Sequence, residues 1–260
     1  MASQQIVTAS LNARTALVTG AGRGIGRAIA FQLAGAGMSV ALVARSGDEI
    51  AETANRIRAL GRTALDVTAD LSDVSQGARA VERIRDEFGT VDVLVNNAAV
   101  VWPLGPSVTA EPAQWAAAIR VNVVAPATLS FWLIPDMLQH RWGRIVNVSS
   151  GIAAHPAAMI GMNAYAASKA ALEAHTINLA AELAGSGVTV NAFRPGSVDT
   201  AMQAWIRDQE PSLIGEDLHE RFVRAYQHGA MISPEQSARS LLPHLYTDAT
   251  GEIWDTSSPT

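Results

Sequence analysis

A chain of 260 residues that is 48% hydrophobic can bury a sizeable core, and an α/β chain of this length commonly folds as one domain. Its 19 basic and 24 acidic residues are interspersed to a net charge of −5, which excludes the basic stripe of a nucleic-acid binder, and with 0 Cys there is neither disulfide nor thiolate chemistry. No apolar run reaches the roughly 18–20 residues of a membrane span, and MASQQIVTASLN has no signal-peptide character, so the expectation is a cytoplasmic protein without nucleic-acid or membrane partners.

After a tail over 1–11, short apolar runs alternate with longer segments of helical period. TALVTG (15–20) reads as the first strand, and TGAGRGIG (19–26) leads from it into a helix over 25–36. Glycines between a strand and a helix permit a tight turn and close approach of backbone N–H groups to a pyrophosphate, beside the positive end of the helix. A dinucleotide site is expected here, built by Gly20, Gly22, Arg23, Gly24, Ile25 and Gly26. SVALVA (39–44) is the second strand. An acidic residue at its end would accept from ribose hydroxyls and select NAD, whereas a cation would pair with a 2′-phosphate. Ala44, Arg45 and Ser46 stand there, and Arg23 adds a second guanidinium, so NADP(H) is expected. Asp48 keeps NAD(H) as the alternative.

Further strands are read at 63–69, 91–97, 143–150 and 187–195, with helices over 47–60, 74–88, 111–140 and 164–185 between them. The strands lack in/out alternation, as strands buried on both faces do. The succession predicts an α/β fold, a doubly wound parallel sheet with helices on both faces, in a single domain over 12–260. EIWDT near the C-terminus supplies a seventh strand, and the long connection 196–235 reads as a functional loop whose part 200–230 is a substrate lid.

NAYAASKAAL (163–172) holds Tyr165 and Lys169, and Lys169 is the one lysine among 18 arginines. Residues four apart share a helix face, and a neighbouring cation stabilises a phenolate and lowers the phenol pKa towards neutrality. A compact ammonium suits that role and the ribose hydroxyls beside it better than a wide guanidinium fork.

With TGAGRGIG, ADL (69–71), NNAA (96–99), Asn122 in VNVVAP, SS (149–150), YAASK (165–169) and RPGSVDT (194–200) in order, the chain resembles the short-chain dehydrogenase/reductase family over roughly 12–256. The resemblance implies Tyr165 as proton donor in carbonyl reduction, Lys169 as its pKa-lowering partner, and Ser150, chosen over Ser149, on the substrate oxygen. It implies that Asn122 interrupts its helix and holds a water linking Lys169 to solvent. Asp70 and Leu71 would flank the adenine, Asn97 and Ala98 the adenosine ribose, and Pro195, Gly196, Val198 and Thr200 the nicotinamide. It further implies a dimer or homotetramer paired through helices 111–140 and 164–185. Ala99 stands where the family usually has Gly, and 151–164 holds a small insertion.

The substrate pocket would be roofed by Val100, Val101, Trp102, Pro103 and Leu104, by His155, Met159, Ile160 and Met162, and by Met202, Trp205 and Ile206. This apolar set favours a hydrophobic ketone or secondary alcohol, and Glu210, Glu216, Asp217 and Glu220 argue against an anionic one. No residues have metal-ligand spacing, so no metal is expected. The leading expectation is an NADP(H)-dependent oxidoreductase. An NAD-dependent secondary-alcohol dehydrogenase, a non-catalytic dinucleotide sensor and a cofactor-independent lyase or dehalogenase are the alternatives.

Overall fold

The computed structural model describes residues 11–256. The strand runs are apolar throughout because successive side chains enter two different cores. Ala16 and Val18 of β1 (Thr15–Thr19) pack into one, with Leu33 of α1 (Gly24–Gly35) and Ile57 of α2 (Gly47–Ala59). Leu17 packs into the other, with Val81 of α3 (Val74–Phe88), Leu133 of α5 (Ala125–Gln139) and Leu179 of α6 (Asn163–Glu182). The remaining strands are β2 (Ser39–Ala44), β3 (Ala64–Thr68), β4 (Val93–Asn96), β5 (Gly143–Val148), β6 (Val188–Arg194) and β7 (Ile253–Asp255). All pair in parallel in the order β3-β2-β1-β4-β5-β6-β7.

This is the doubly wound sheet read from the sequence. The chain winds from β1 out to β3, returns to β4 beside β1, and winds the other way. The reversal opens a crevice at the carboxyl ends of β1 and β4, where sheets of this kind take ligands.

Four expectations need correction. The segment 196–235 is not one loop, because α7 (Ala201–Arg207) and α8 (Glu216–Gln227) form inside it. Thr200 caps α7, and Leu218 and Phe222 of α8 join Val101, Met162, Ile206 and Ile214 in a small third core. The helix read over 111–140 is three pieces: α4 (Pro112–Ile119), a π turn over Arg120–Val124, and α5. Together Pro112–Gln139 is long and apolar enough to cross a membrane, with mean hydropathy 1.5, which the reading by apolar runs had excluded. Its Leu129, Leu133 and Met137 pack against the sheet instead. The tail over 1–11 lies almost wholly outside the described residues, as do 257–260, but Leu11 is buried in the core. The last helix, α9 (Pro234–Leu241), starts from a capping box between Ser233 and Gln236 and packs on α1.

The crevice is held open from below. Asn97, just past β4, donates its side-chain amide to the carbonyls of Thr19 and Gly20 at 2.9 and 3.2 Å, while the Thr19 hydroxyl accepts from the N–H of Asn97 and of Ala98, both at 3.0 Å. Gly26 makes this approach possible: a Cβ there would lie 2.3 Å from the Gly20 carbonyl oxygen and 2.4 Å from Asn97 Nδ2. Gly26→Ala is therefore expected to lower stability by roughly 2 kcal/mol in urea unfolding, despite the better helix propensity of Ala; unchanged stability would show that the turn yields freely.

Candidate active site

A cleft of about 600 Å³ runs along the carboxyl ends of the strands. Gly20, Gly22, Arg23, Gly24 and Ile25 from the turn after β1 form its floor. Gly20 and Gly24 have φ of 64° and 55°, the left-handed region where glycine is unstrained. Arg45 and Ser46 after β2, and Asp70 and Leu71 after β3, line one end; Asn97 and Ala98 after β4 line the middle. Tyr165, Lys169, Pro195 and Thr200 line the other end. A long cleft with a glycine cradle at a helix N-terminus fits a dinucleotide. Gly26, Gly196 and Val198 lie behind the wall: Gly26 closes the turn, a Cβ on Gly196 would come 2.5 Å from the Thr256 hydroxyl, and Val198 bridges to Ile232.

At the Tyr165 end, α6 presents Tyr165 and Lys169 on one face, with the ammonium 5.6 Å from the phenol ring centroid. Lys169 is 2% exposed and donates to the Val148 carbonyl at 2.7 Å. Burial pushes its ammonium down to about 8, and the Glu173 carboxylate offsets part of that. Burial also pushes the Tyr165 phenol up to about 12, with the Ser150 hydrogen bond pulling the other way. The sequence had predicted a lowered phenol. In this protein frame desolvation outweighs the stabilisation of the phenolate, so the phenol is a proton donor throughout the neutral range.

The two serines part company. Ser150 hydrogen-bonds Tyr165, whereas the Ser149 hydroxyl, though at the cleft wall, donates to Glu173 Oε1 at 2.6 Å. The insertion after them forms two short 3-10 turns, Gly151–Ala153 and Pro156–Ala158. Asn122 lies in the π turn, fully buried, and its side chain is already used: Oδ1 accepts from Val100 N–H at 2.8 Å, and Nδ2 donates to the Val100 carbonyl at 2.8 Å and to Ser168 at 3.0 Å. A water in the relay would therefore have to meet its backbone, not its amide hydrogens. Ala99, in the usual glycine position, has no positive φ, so its methyl is accommodated.

At the other end, Arg23 is not a free cation, since it pairs with Glu49 at 3.5 Å. Of the two acids in the first turn of α2, Glu49 and not Asp48 lines the cleft. Arg45 is exposed and has no hydrogen bond or ion pair among the described residues. Asp70 fixes its own loop, Oδ1 accepting from Ser72 N–H at 2.9 Å.

Of the expected roof, Val100, Val101, Trp102, Met202 and Trp205 line the cleft, with Ala201 and Val121 beside them. Pro103 and Leu104 line a neighbouring cavity of about 330 Å³ with Trp115. Met162 and Ile206 are buried in the third core, against which Met159 packs, while His155 and Ile160 are exposed. Glu210, Glu216, Asp217 and Glu220 are also exposed and line no part of the cleft, so they carry no argument about substrate charge. Among the described residues no three His, Asp or Glu are grouped to hold a metal ion. Glu49 and Glu173 were missed in the sequence, although each had a signal. Glu173 continues the Tyr165–Lys169 stripe, and Glu49 follows the strand-end arginine within the first helical turn.

Comparison with known proteins agrees with this geometry. The family model for short chain dehydrogenases matches residues 14–211. A short chain dehydrogenase of Pseudocercospora fijiensis is 39% identical over 197 residues, a stretch covering 75% of this chain and 62% of that one. A variant of actinorhodin polyketide ketoreductase solved with NADPH superposes with a TM-score of 0.84 at 28% identity, over 95% of this chain and 97% of its own. The 3-ketoacyl-(acyl-carrier-protein) reductase of Brucella melitensis, solved with NADH, gives 0.80 at 28% identity, over 95% and 97%. With a glycine-cradled cleft ending in Tyr165 and Lys169, the chain belongs to the short-chain dehydrogenase family, oxidoreductases of alcohol and carbonyl groups that use a nicotinamide cofactor.

Proposed function

We propose that this protein reduces a hydrophobic ketone to a secondary alcohol with NADPH. The observation that carries the reading is that Tyr165, hydrogen-bonded by Ser150, and Lys169 line one end of a cleft whose other end presents Arg45, which has no ion pair among the described residues. When bound, the nicotinamide supplies the hydride. Ser150 and Tyr165 hydrogen-bond the carbonyl oxygen, and Tyr165 gives it a proton as negative charge develops there. Lys169 holds the resulting phenolate charge. Asp70 and Leu71 border the adenine, Asn97 and Ala98 the ribose, and Pro195 and Thr200 the carboxamide side. The hydrophobic wall of Val101, Trp102, Met202 and Trp205 supports an apolar substrate over a phosphorylated one.

The Tyr165 phenol, pushed up to about 12 by burial, stays protonated at neutral pH and so carries the proton that carbonyl reduction consumes. Lys169 is charged below about 8 and neutral above it. Turnover in the reductive direction should thus be level at neutral pH and fall as pH rises through about 8. The check is NADPH consumption with a panel of hydrophobic ketones; consumption confined to charged or carrier-bound substrates would contradict the substrate class.

The cofactor reading rests on Arg45 placed to meet a 2′-phosphate. Glu49 favours the second reading, NAD(H) and alcohol oxidation, because its carboxylate opposes a phosphate and occupies Arg23. Fluorescence titration separates them. Arg45→Asp should weaken NADPH at least roughly tenfold more than NADH, and Glu49→Gln should tighten NADPH by freeing Arg23; equal effects on the two cofactors would remove the assignment. Assembly as a homo-oligomer is part of the proposal, supported by exposed Val124 at the end of the π turn, Phe131 and Leu138 along α5 and Ile177 on α6, and a monomer mass by light scattering would refute it.

A further inference from the structure

We propose that Glu173 is a positioning residue of this site, which ties together the three chain segments that meet beneath Lys169 and sets a carboxylate one helical turn from its ammonium. The proposal deepens the reading of Tyr165 and Lys169 given above. Glu173 follows Lys169 by four residues, so α6 carries phenol, ammonium and carboxylate on one stripe. It is 7% exposed and is not part of the cleft wall, so it acts only through its neighbours. Oε1 accepts from the Ser149 hydroxyl at 2.6 Å and from Arg194 Nε at 2.8 Å, and Oε2 accepts from Arg194 Nη2 at 2.7 Å.

The positions of these partners give the contact its meaning. Ser149 follows β5 and precedes Ser150. Arg194 ends β6 and precedes Pro195, where the chain enters the Pro195–Thr200 wall. One carboxylate thus joins the helix of Tyr165 and Lys169 to the strand end that carries Ser150 and to the strand end that leads to the proposed nicotinamide side. A two-point guanidinium–carboxylate contact fixes direction as well as distance. An ordinary buried ion pair would be placed wherever packing allowed. This one sits where three site-bearing segments converge.

Charge gives the second reason. Tyr165 and Glu173 reach Lys169 from its own helix, and β5 offers only the Val148 carbonyl. Arg194 from β6 faces Glu173 from the far side, and Asp255 of β7 faces Arg194 in turn. The π turn contributes Asn122, through Ser168, which does not ionise. Glu173 is the anion that offsets the burial of Lys169.

The test needs no substrate. Lys169 is the only lysine in the chain, so protein labelled with carbon-13 at lysine Cε gives one lysine signal to titrate by NMR. Glu173→Gln should lower its midpoint by about one pH unit. A role in packing alone predicts the reverse, because a loosened core admits water and lets the midpoint rise towards that of a solvated lysine. Arg194→Gln should raise the midpoint, since among the described residues Glu173 then has Lys169 as its one neighbouring cation. If Glu173→Gln does not fold, Arg194→Gln is compared with the double variant Arg194→Gln/Glu173→Gln, in which no guanidinium is left unpaired, and the midpoint should fall from the first to the second. A midpoint that does not fall on loss of Glu173, in whichever background folds, overturns the proposal. Failure of the ketone-reduction reading would appear as a wild-type protein without turnover and would leave the lysine titration unaffected.

Discussion

A lysine ammonium that is 2% exposed sets the terms for everything around it. Removing such a charge from water costs several kcal/mol unless its hydrogens and its field are satisfied. Lys169 meets part of the first need with the Val148 carbonyl, which takes one of its three hydrogens, and part of the second with Glu173 one helical turn away. The charge is only partly stabilised, as its lowered pKa shows. A cation held short of satisfaction beside a phenol has affinity left for negative charge arising on that phenol. The fold supplies the apolar helix, the strand-end carbonyl and the remote carboxylate that make this arrangement stable.

The rest of the architecture places the cleft against that charge. Parallel strands end on one side of the sheet, so the glycine turn, the Asn97 bend, the serine pair and Pro195 all arrive there by topology. Polar side chains lock the levels together. Asn96 donates to Asn147 at 2.9 Å and Asn147 to Thr176 at 2.9 Å, which joins β4, β5 and α6 inside the apolar interior. Asn97 and Thr19 set the gap between β1 and β4 by the same means. These bonds are buried and directional, and they fix the distance between the two ends of the cleft.

Local signals made much of this legible in the sequence. Six apolar strand runs and the glycine turn announce themselves within a dozen residues each, and Tyr165 and Lys169 are visible because helical spacing puts them together. The resemblance added Ser150 and Asn122, which no local pattern singles out. Features that depend on distant partners were not legible. Ser149 and Glu173 are 24 residues apart, and Arg194 and Glu173 are 21 apart. Arg23 looked like a free phosphate ligand because nothing local showed Glu49 folding back on it. The segment after Pro195 looked like a loop because α8 gains its stability from the third core, which exists only once α7, Met162 and Val101 are in place. Counting apolar runs did not show the length of the α4–α5 stretch, since such a count stops at each polar residue whereas the helix continues through it.

The account depends most on Tyr165 moving the proton while taking little part in holding the cofactor. The direct measurement is Tyr165→Phe, with NADPH binding and ketone turnover followed on the same sample. Binding close to that of the wild type with turnover lowered at least about a hundredfold is the predicted result. Turnover comparable to the wild type would place the proton donor elsewhere and contradict the account.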